Sequence, residues 1–241
     1  MELFLIRHAQ SENNRLWDLT KSHINRSQDP DLTEIGQRQS ELLAEFLSHE
    51  SILPRNGIHD VQNIHGFHLT HIYSSLMIRA VKTGIVTAEK LGLSLIGWED
   101  LHEEGGIFLY DPGSGEKEGM DGKTREYFIQ NFPGLLVPED LGEGGWWKRR
   151  PYETEKSCGI RARRVVDQVL KRHKNPGDKV VLFTHGGFYN KIMKVILRLP
   201  DDSSLWFSIN NCAITRIDFS QGERSIAYMN RIDFLPRDLV T

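Results

Sequence analysis

Cysteine is scarce in this sequence. The chain of 241 residues has two cysteines, Cys158 and Cys212, which are far apart and form no Cys-x-x-Cys pair. Small secreted domains usually depend on several disulfides, whereas cysteines in a reducing compartment stay free. We therefore expect a cytoplasmic protein in which both cysteines are packing residues.

Long apolar runs are also absent. The N-terminal run 3–6 ends at Arg7 and His8, which makes it too short for a signal peptide, and it lacks a basic region before it. A membrane-spanning helix needs about 20 apolar residues, and no later stretch approaches that length. We expect no association with a membrane.

Neither sign of charge is in excess. The chain has 30 basic and 33 acidic residues, a formal net charge of −3. A nucleic-acid partner is not expected, because such proteins usually carry a strong basic field. Any affinity for an anionic substrate must come from a local cluster. A chain of this length that is 39% hydrophobic can form one core, so we predict a single domain over 1–241.

The sequence pattern alternates between strands and helices. Short apolar or β-branched runs predict strands at 3–6, 71–74, 93–96, 179–184, 212–219 and 225–229. Helical spacing of apolar residues predicts helices at 35–47 with Thr33 as N-cap, at 77–91 ending before Gly92, at 159–173, and from Gly186 onward. No element is assigned to the polar segment 9–31. The alternation predicts a three-layer α/β/α sandwich with a mostly parallel central sheet.

The segment from about 102 to 156 interrupts this pattern. It is rich in glycine, proline and charge and has weak periodicity. It is also too long for an ordinary loop of a compact domain. We predict an insertion that folds over the site as a partial lid.

Polar residues with a common chemistry follow three of the predicted strands. Arg7 and His8 follow the first strand, Arg79 follows the second at the start of a helix, and His185 follows the strand 179–184. In parallel α/β sheets, sites lie beyond the carboxyl ends of the strands. These two histidines and two arginines are therefore expected to meet at one edge of the sheet.

This combination suits phosphoryl transfer. A neutral imidazole can attack phosphorus and form a phosphohistidine, and guanidinium groups match the oxygens of a phosphate. The backbone of Gly186, at a helix start, can approach one of those oxygens. The leaving alkoxide needs a proton from a carboxylic acid, for which Glu103 and Glu104 are both candidates.

Five motifs in order resemble those of the histidine phosphatase superfamily, also called phosphoglycerate-mutase-like. They are Arg-His-Ala-Gln-Ser-Glu-Asn-Asn at 7–14, Leu-Thr-Glu-Ile-Gly at 32–36, Ser-Leu-Met-Ile-Arg-Ala-Val-Lys-Thr at 75–83, Leu-His-Glu at 101–103 and Thr-His-Gly-Gly at 184–187. Three positions depart from the family pattern: Ala9 replaces glycine, Leu76 replaces proline and Lys82 replaces glutamine.

The resemblance implies a role for each matched residue. His8 would be the phosphorylated nucleophile and Glu103 the general acid or base, with Glu104 as its competitor. The residues implied to hold the phosphate are Arg7, Asn14, Arg79, His185 and Gly186. No metal and no organic cofactor is implied. The chain lacks the Glu-Arg-x-Tyr-Gly pattern that cofactor-dependent phosphoglycerate mutases have after the third strand, which favours a phosphatase.

Other interpretations remain open for some of these residues. His8 and His185 could be hydrogen-bonded core histidines. His65, His68 and His71 lie three residues apart, which on one helix would suit a metal, but a surface or packing role is favoured because Gly66 and the strand at 71–74 interrupt such a helix. The basic run at 148–150 is either a solvated face or a lid cluster that contacts an anionic substrate.

We therefore expect a phosphate monoester hydrolase that acts on a small phosphorylated metabolite. Two alternatives remain, a phosphoglycerate-mutase-type phosphoryl transferase and, from a different class, a non-catalytic module that binds a phosphorylated ligand. Base rates favour a homodimer as the oligomeric state.

Overall fold

A computed structural model describes residues 1–50, 60–111, 113–142, 144–220 and 222–241. Its strands are β1 (Glu2–Arg7), β2 (His71–Ser74), β3 (Leu95–Gly97), β4 (Phe108–Tyr110), β5 (Lys117–Gly119), β6 (Leu135–Leu136), β7 (Lys179–Thr184), β8 (Ile214–Ser220) and β9 (Glu223–Arg231). Its α-helices are α1 (Glu12–Thr20), α2 (Glu34–Ser48), α3 (Ile78–Leu91), α4 (Arg125–Asn131), α5 (Glu155–Arg172) and α6 (Gly186–Ile196).

The main sheet has the order β6-β3-β2-β7-β1-β8-β9. The pairings from β6 to β1 are parallel, and only β8 and β9 join in the antiparallel sense. β1 is buried on both faces, because Phe4 and Ile6 belong to one core cluster whereas Leu3 and Leu5 belong to the other. This alternation explains why the strand is a continuous apolar run.

Helices cover both faces of the sheet. α2 and α3 contribute to the first cluster through Leu43 and Val81, and α5 and α6 contribute to the second through Val165 and Ile192. The predicted three-layer α/β sandwich is therefore confirmed. Thr33 caps α2 by accepting a hydrogen bond from the N–H of Gly36, as expected.

Two helix assignments from the sequence were wrong. The segment 9–31 contains α1, which begins with a capping box between Ser11 and Asn14. α5 begins at Glu155 instead of 159, because the hydroxyl of Thr154 accepts from the N–H of Ser157 and so caps the helix earlier.

The inserted segment has two structural parts. β4 and β5 form a separate hairpin, and Phe108 of β4 lines the main cavity together with Tyr152. β6 instead extends the main sheet beside β3, and the following Trp146 is buried in the core. The lid interpretation stays a prediction, and it concerns only the hairpin side of the segment.

Among the described residues, no helix combines the length and the apolar character that crossing a bilayer requires. Both cysteines are buried and unpaired.

Candidate active site

Strand register brings the two predicted histidines together. β1 and β7 pair in parallel with Arg7 opposite Thr184, so the next residues, His8 and His185, leave the sheet side by side. The N–H of His8 donates to the carbonyl of Thr184 at 3.0 Å. The two imidazole rings lie 5.0 Å apart between centroids.

The neighbours of His8 determine which of its ring nitrogens carries the proton. Nδ1 lies 2.7 Å from the carbonyl oxygen of Ala9, which can only accept. Nε2 lies 3.1 Å from Nε of Arg79, which can only donate. His8 is therefore a neutral imidazole with a proton on Nδ1 and a lone pair on Nε2.

Electrostatics favour the same neutral form. His8 is only 3% exposed. Burial and the adjacent guanidinium groups of Arg79 and Arg7 hold the pKa of His8 well below its usual value of 6.5. The pKa of His185 is also well below its usual value, because of burial and then the charge of Arg79. Neither ring is cationic at neutral pH.

His185 is oriented by a serine that the sequence analysis did not single out. The hydroxyl of Ser75 lies 2.9 Å from Nε2 of His185 and accepts from the N–H of Met77. A hydroxyl donates one hydrogen bond and can accept two, so this contact fits either tautomer of His185. Nδ1 of His185 is buried and has no hydrogen-bond partner among the described residues.

Arg7 shows a similar pattern. Its Nη1 donates to the carbonyl of Ile209 at 2.7 Å, which fixes the guanidinium, while its Nε is buried and has no hydrogen-bond partner in the part of the chain that the structure describes. Burial lowers the pKa of Arg7. Unpaired buried donors are uncommon in proteins and call for a ligand or a functional explanation.

Glu103 lies against the first turn of α6. Its carboxylate accepts hydrogen bonds from the N–H groups of Gly187 at 3.1 Å, Phe188 at 2.8 Å and Glu104 at 2.8 Å. A Cβ atom on Gly187 would lie 2.6 Å from Oε1 of Glu103, whereas one on Gly186 would find only Arg7 at 3.6 Å. Gly187 is therefore the glycine whose missing side chain the site requires.

Glu104 lines the same cavity as Glu103. Burial raises the pKa of Glu104, opposed by Lys191 and reinforced by the charge of Glu103. Both carboxyl groups thus reach the site, and they differ in that Glu103 is fixed by three backbone donors.

Asn14 completes the capping box of α1 with the N-cap residue Ser11, and it lines the cavity. Its Oδ1 accepts from the N–H and the hydroxyl of Ser11 at 3.1 and 2.9 Å, and from the amide of Asn211 at 3.3 Å. With Oδ1 fully engaged, the Nδ2 donor is the part of Asn14 that can serve a ligand. Asn211 also donates to the carbonyl of His8 at 2.8 Å.

The Leu-Thr-x-x-Gly motif supports the loop that follows His8. The N–H of Thr33 donates to the carbonyl of Gln10 at 3.0 Å, and its hydroxyl donates to the side chain of Gln10 at 2.7 Å. A Cβ on Gly36 would lie 2.0 Å from the Gln10 carbonyl oxygen. The motif thus positions the loop without reaching the cavity.

A cavity of about 720 Å³ collects most of the predicted site residues. Those that line it are Arg7, His8, Asn14, Arg79, Glu103 and Gly186. His185 is fully buried against His8 and does not line it.

The rim of this cavity includes the exposed aromatic residues Trp17 and Trp206. Arg26 also lines the cavity, and its guanidinium lies 4.2 Å from the ring centre of Phe108.

Asp29 is a further residue that the sequence analysis missed. Its side chain is 3% exposed and lies 4.0 Å from Nη1 of Arg79, and its Oδ1 accepts from the N–H of Ile78 at 3.0 Å. Burial raises the pKa of Asp29 to about 6, although Arg79 acts against that rise. Asp29 and Arg26 both lie in the polar segment 9–31, where no local pattern marks them.

The basic run 148–150 lies outside the cavity. Arg149 pairs with Asp121 at 3.0 Å, Arg150 pairs with Glu99, and all three residues of the run are exposed. None of them lines the site, so the structure favours the solvated-face interpretation over a substrate contact.

Comparison with protein families adds independent information. The model of the histidine phosphatase superfamily (branch 1) matches residues 3–54 and 61–232. The chain belongs to the histidine phosphatase superfamily. A curated relative is the probable phosphoglycerate mutase GpmB of Yersinia pestis, which is 24% identical over 227 residues, covering 92% of this chain and 86% of the relative.

Solved structures of other proteins share the family fold. A mutant phosphoserine phosphatase of Entamoeba histolytica in complex with phosphoserine matches with a TM-score of 0.58 and 19% identity, covering 98% of this chain and 99% of that one. A mycobacterial glucosyl-3-phosphoglycerate phosphatase complexed with VO3 matches with a TM-score of 0.59 and 19% identity, covering 95% and 98%. At these identities the similarity is one of fold.

Proposed function

We propose that this protein hydrolyses the phosphate monoester of a small metabolite through a phosphohistidine at Nε2 of His8. One observation carries the proposal: the lone pair of Nε2 is held unprotonated by Arg79 at the wall of a cavity that also contains Arg7. A neutral imidazole beside two fixed guanidinium groups is the arrangement that attack on a phosphoryl group requires.

The phosphate would be held by donors that the folded chain leaves available. Nε of Arg7, which lines the cavity, has no hydrogen-bond partner among the described residues, and the amide of Asn14 has its Nδ2 to offer. His185 does not line the cavity, so its ring would have to shift to reach a phosphate. Arg79 would pass its hydrogen bond from His8 to a phosphoryl oxygen as Nε2 begins to bond phosphorus. The start of α6 at Gly186 adds a partial positive charge.

The reaction would proceed in two displacements. Glu103 would enter the reaction as the carboxylic acid. Nε2 of His8 bonds to phosphorus while the bond to the leaving alkoxide oxygen breaks, and that oxygen takes the carboxyl proton, which leaves Glu103 as the carboxylate held by its three backbone donors. A water molecule then attacks the phosphohistidine and gives its proton to the Glu103 carboxylate. Inorganic phosphate leaves, and His8 returns to its neutral form.

Two considerations favour hydrolysis over transfer to a second hydroxyl. A mutase has to shield the phosphohistidine from water, whereas this cavity has a rim with exposed Trp17 and Trp206. The named phosphatases among the solved structures share this fold. The relative named a probable phosphoglycerate mutase supports the alternative, so an assay of sugar-phosphate and phosphoglycerate isomerisation accompanies the hydrolysis assay.

The deciding experiment compares wild type with His8→Ala on a generic aryl phosphate in the presence of a metal chelator. Loss of the nucleophile should reduce turnover by at least about 10³-fold, while the thermal unfolding profile stays cooperative. His49→Ala, which removes an exposed histidine outside the site, is the matched control and should retain full activity.

The alternatives give different outcomes. Turnover that survives in His8→Ala would refute the proposed nucleophile. If wild type does not turn over any member of a phosphometabolite panel and no phosphohistidine is trapped on rapid quenching, the non-catalytic binding module is the better description. A trapped phosphohistidine that is released only to a second hydroxyl would identify a mutase.

A further inference from the structure

A second cluster of chemically active side chains lies away from the catalytic cavity. His71, His173 and Asp178 each present a potential ligand atom, and these atoms all lie within 4.8 Å of one another. None of the three lines the catalytic cavity. Of the three histidines spaced along 65–71, only His71 belongs to this cluster.

The topology explains how residues about 100 positions apart meet here. His71 is the first residue of β2, and Asp178 immediately precedes β7, which pairs with β2 in parallel. His173 is the C-cap residue of α5. The cluster therefore lies at the amino ends of the strands, whereas His8 and His185 follow the carboxyl ends.

The two imidazoles are close and only partly solvated. Their ring centres lie 4.4 Å apart in an edge-to-face arrangement. His173 is buried, whereas His71 and Asp178 are half-buried, so the cluster has one side open to solvent.

Neighbouring hydroxyl groups orient both rings. Nε2 of His173 lies 3.1 Å from the hydroxyl of Tyr73, so Nδ1 faces Asp178. The hydroxyl of Thr70 lies 2.9 Å from Nδ1 of His71, which leaves Nε2 of His71 as its coordinating nitrogen. Metal-ligating histidines usually have such a partner on their second nitrogen.

A direct hydrogen bond between His173 and Asp178 does not account for the arrangement. Nδ1 of His173 and Oδ2 of Asp178 are 3.6 Å apart, beyond the range of a normal N–H···O bond. A cation between them could bond both atoms at about 2.0–2.2 Å without a change in their separation. Any pair of ligand atoms near the 4.8 Å limit of the cluster has to move inward, since two ligands of one such ion lie at most about 4.4 Å apart.

We propose that His71, His173 and Asp178 bind one divalent transition-metal ion of the zinc class, with water completing the coordination. Two imidazole nitrogens and one carboxylate are a donor set that Zn²⁺ prefers, whereas Mg²⁺ and Ca²⁺ favour oxygen ligands. Tyr73 and Thr70 are positioning residues. The ion would connect the end of α5 and the turn before β7 to the start of β2, and it would take no part in phosphoryl transfer.

The test is direct titration of the metal-free protein with Zn²⁺, followed by Co²⁺ as a spectroscopic probe. Wild type should bind one Zn²⁺ with a rise in melting temperature, and Co²⁺ should give the visible absorption of a four-coordinate nitrogen and oxygen site. His71→Ala and Asp178→Asn should each weaken Zn²⁺ binding by at least about tenfold. Removing a ligand should weaken metal binding at least as much as removing a side chain that only orients a ligand.

Two further variants separate this site from the catalytic one. His8→Ala should retain the Zn²⁺ stoichiometry and affinity, which excludes the catalytic histidines as the ligands, and His49→Ala should behave as wild type. The phosphatase activity of His71→Ala in chelator should equal that of wild type.

Three results would overturn the proposal. The first is the absence of Zn²⁺ binding by wild type, and the second is equal binding by wild type, His71→Ala and Asp178→Asn. The third is loss of the ion in His8→Ala but not in His71→Ala. Because His71 and Asp178 are half-buried, their substitution should leave the fold intact, and a cooperative melting profile in chelator verifies this.

Discussion

Arg79 donates a hydrogen bond from its Nε to Nε2 of His8 across 3.1 Å, and both side chains are buried. A guanidinium has no acceptor atom, so the contact is possible only when Nε2 of His8 carries no proton. In the proposed reaction, the same residue that would bind the phosphoryl group would thus keep the nucleophile in its reactive form beforehand.

The titration of His8 should show this relationship directly. We expect the imidazole signals of His8, followed by NMR in selectively labelled protein, to show no titration midpoint near the usual histidine pKa of 6.5, because burial and the charges of Arg79 and Arg7 hold its pKa well below that value. Arg79→Met should raise the pKa of His8, whereas Arg38→Met, which removes an exposed arginine on α2, should not. A wild-type midpoint near 6.5 would contradict the deduced environment.

Stability should decrease on acidification below pH 6.5. The pKa values of His8, His102 and His185 all lie well below 6.5 in the folded state. Below pH 6.5 the unfolded chain therefore binds more protons than the folded one, so the free energy of unfolding falls as pH falls. Each histidine contributes up to about 1.4 kcal/mol per pH unit.

The protonation of Asp29 opposes this loss of stability over part of the same pH range. The pKa of Asp29 is raised to about 6 in the folded state. At a pH between its pKa in the unfolded chain and 6, the folded protein therefore carries a proton on Asp29 that the unfolded chain lacks. Between pH 6 and 5 we expect a net loss of stability that is smaller than the three histidines alone would give, measured by urea unfolding. His102→Asn should make the slope shallower, and an unchanged slope would contradict the prediction.

The two neighbouring glutamates should differ in their effect on catalysis. Glu103→Gln should lower kcat by about 10²–10⁴-fold, the range for loss of a general acid, whereas Glu104→Gln should have a much smaller effect. The physical reason is that three backbone N–H groups fix Glu103 at the cavity. An aryl phosphate with a very acidic leaving group needs little protonation, so on that substrate Glu103→Gln should lose less. The reverse order of effects would assign the role to Glu104.

Gly187→Ala should impair the same carboxylate indirectly. The new Cβ would lie 2.6 Å from Oε1 of Glu103, so the carboxylate has to move and the hydrogen bond from residue 187 is disturbed. We expect kcat to fall by about 10-fold or more, with little change in melting temperature. In Gly186→Ala the Cβ meets Arg7 at 3.6 Å, an ordinary contact, and the loss should be smaller. Equal losses in the two variants would contradict this account.

The sequence predicted the central sheet and the meeting of the candidate-site residues for the same reason. Apolar runs marked β1, β2 and β7, and the polar residues after them had to meet because parallel strands present their carboxyl ends at one edge. Register then determined that His8 lies beside His185. These relations depend on local pattern and on a general rule of topology.

Other features had no local signal. α1 buries none of its residues, so it lacks the apolar periodicity by which helices are recognised, and only its capping box marked it. Asp29 and Arg26 acquire a role only through Arg79 and Phe108, which are distant in sequence. The meeting of His71 with His173 likewise depends on tertiary structure.

The pair Gly105-Gly106 links the two glutamates at the start of the inserted segment to the rest of that segment. Both glycines have positive φ, 89° and 77°, and a Cβ on either would lie 2.1 Å from an aromatic ring, that of Tyr152 for Gly105 and that of Trp147 for Gly106. The backbone next to Glu103 is therefore shaped by side chains of the insertion. Exchanging the later part of the inserted segment for that of a related protein would therefore shift the backbone beside Glu103, so a successful graft has to carry both aromatic residues with it.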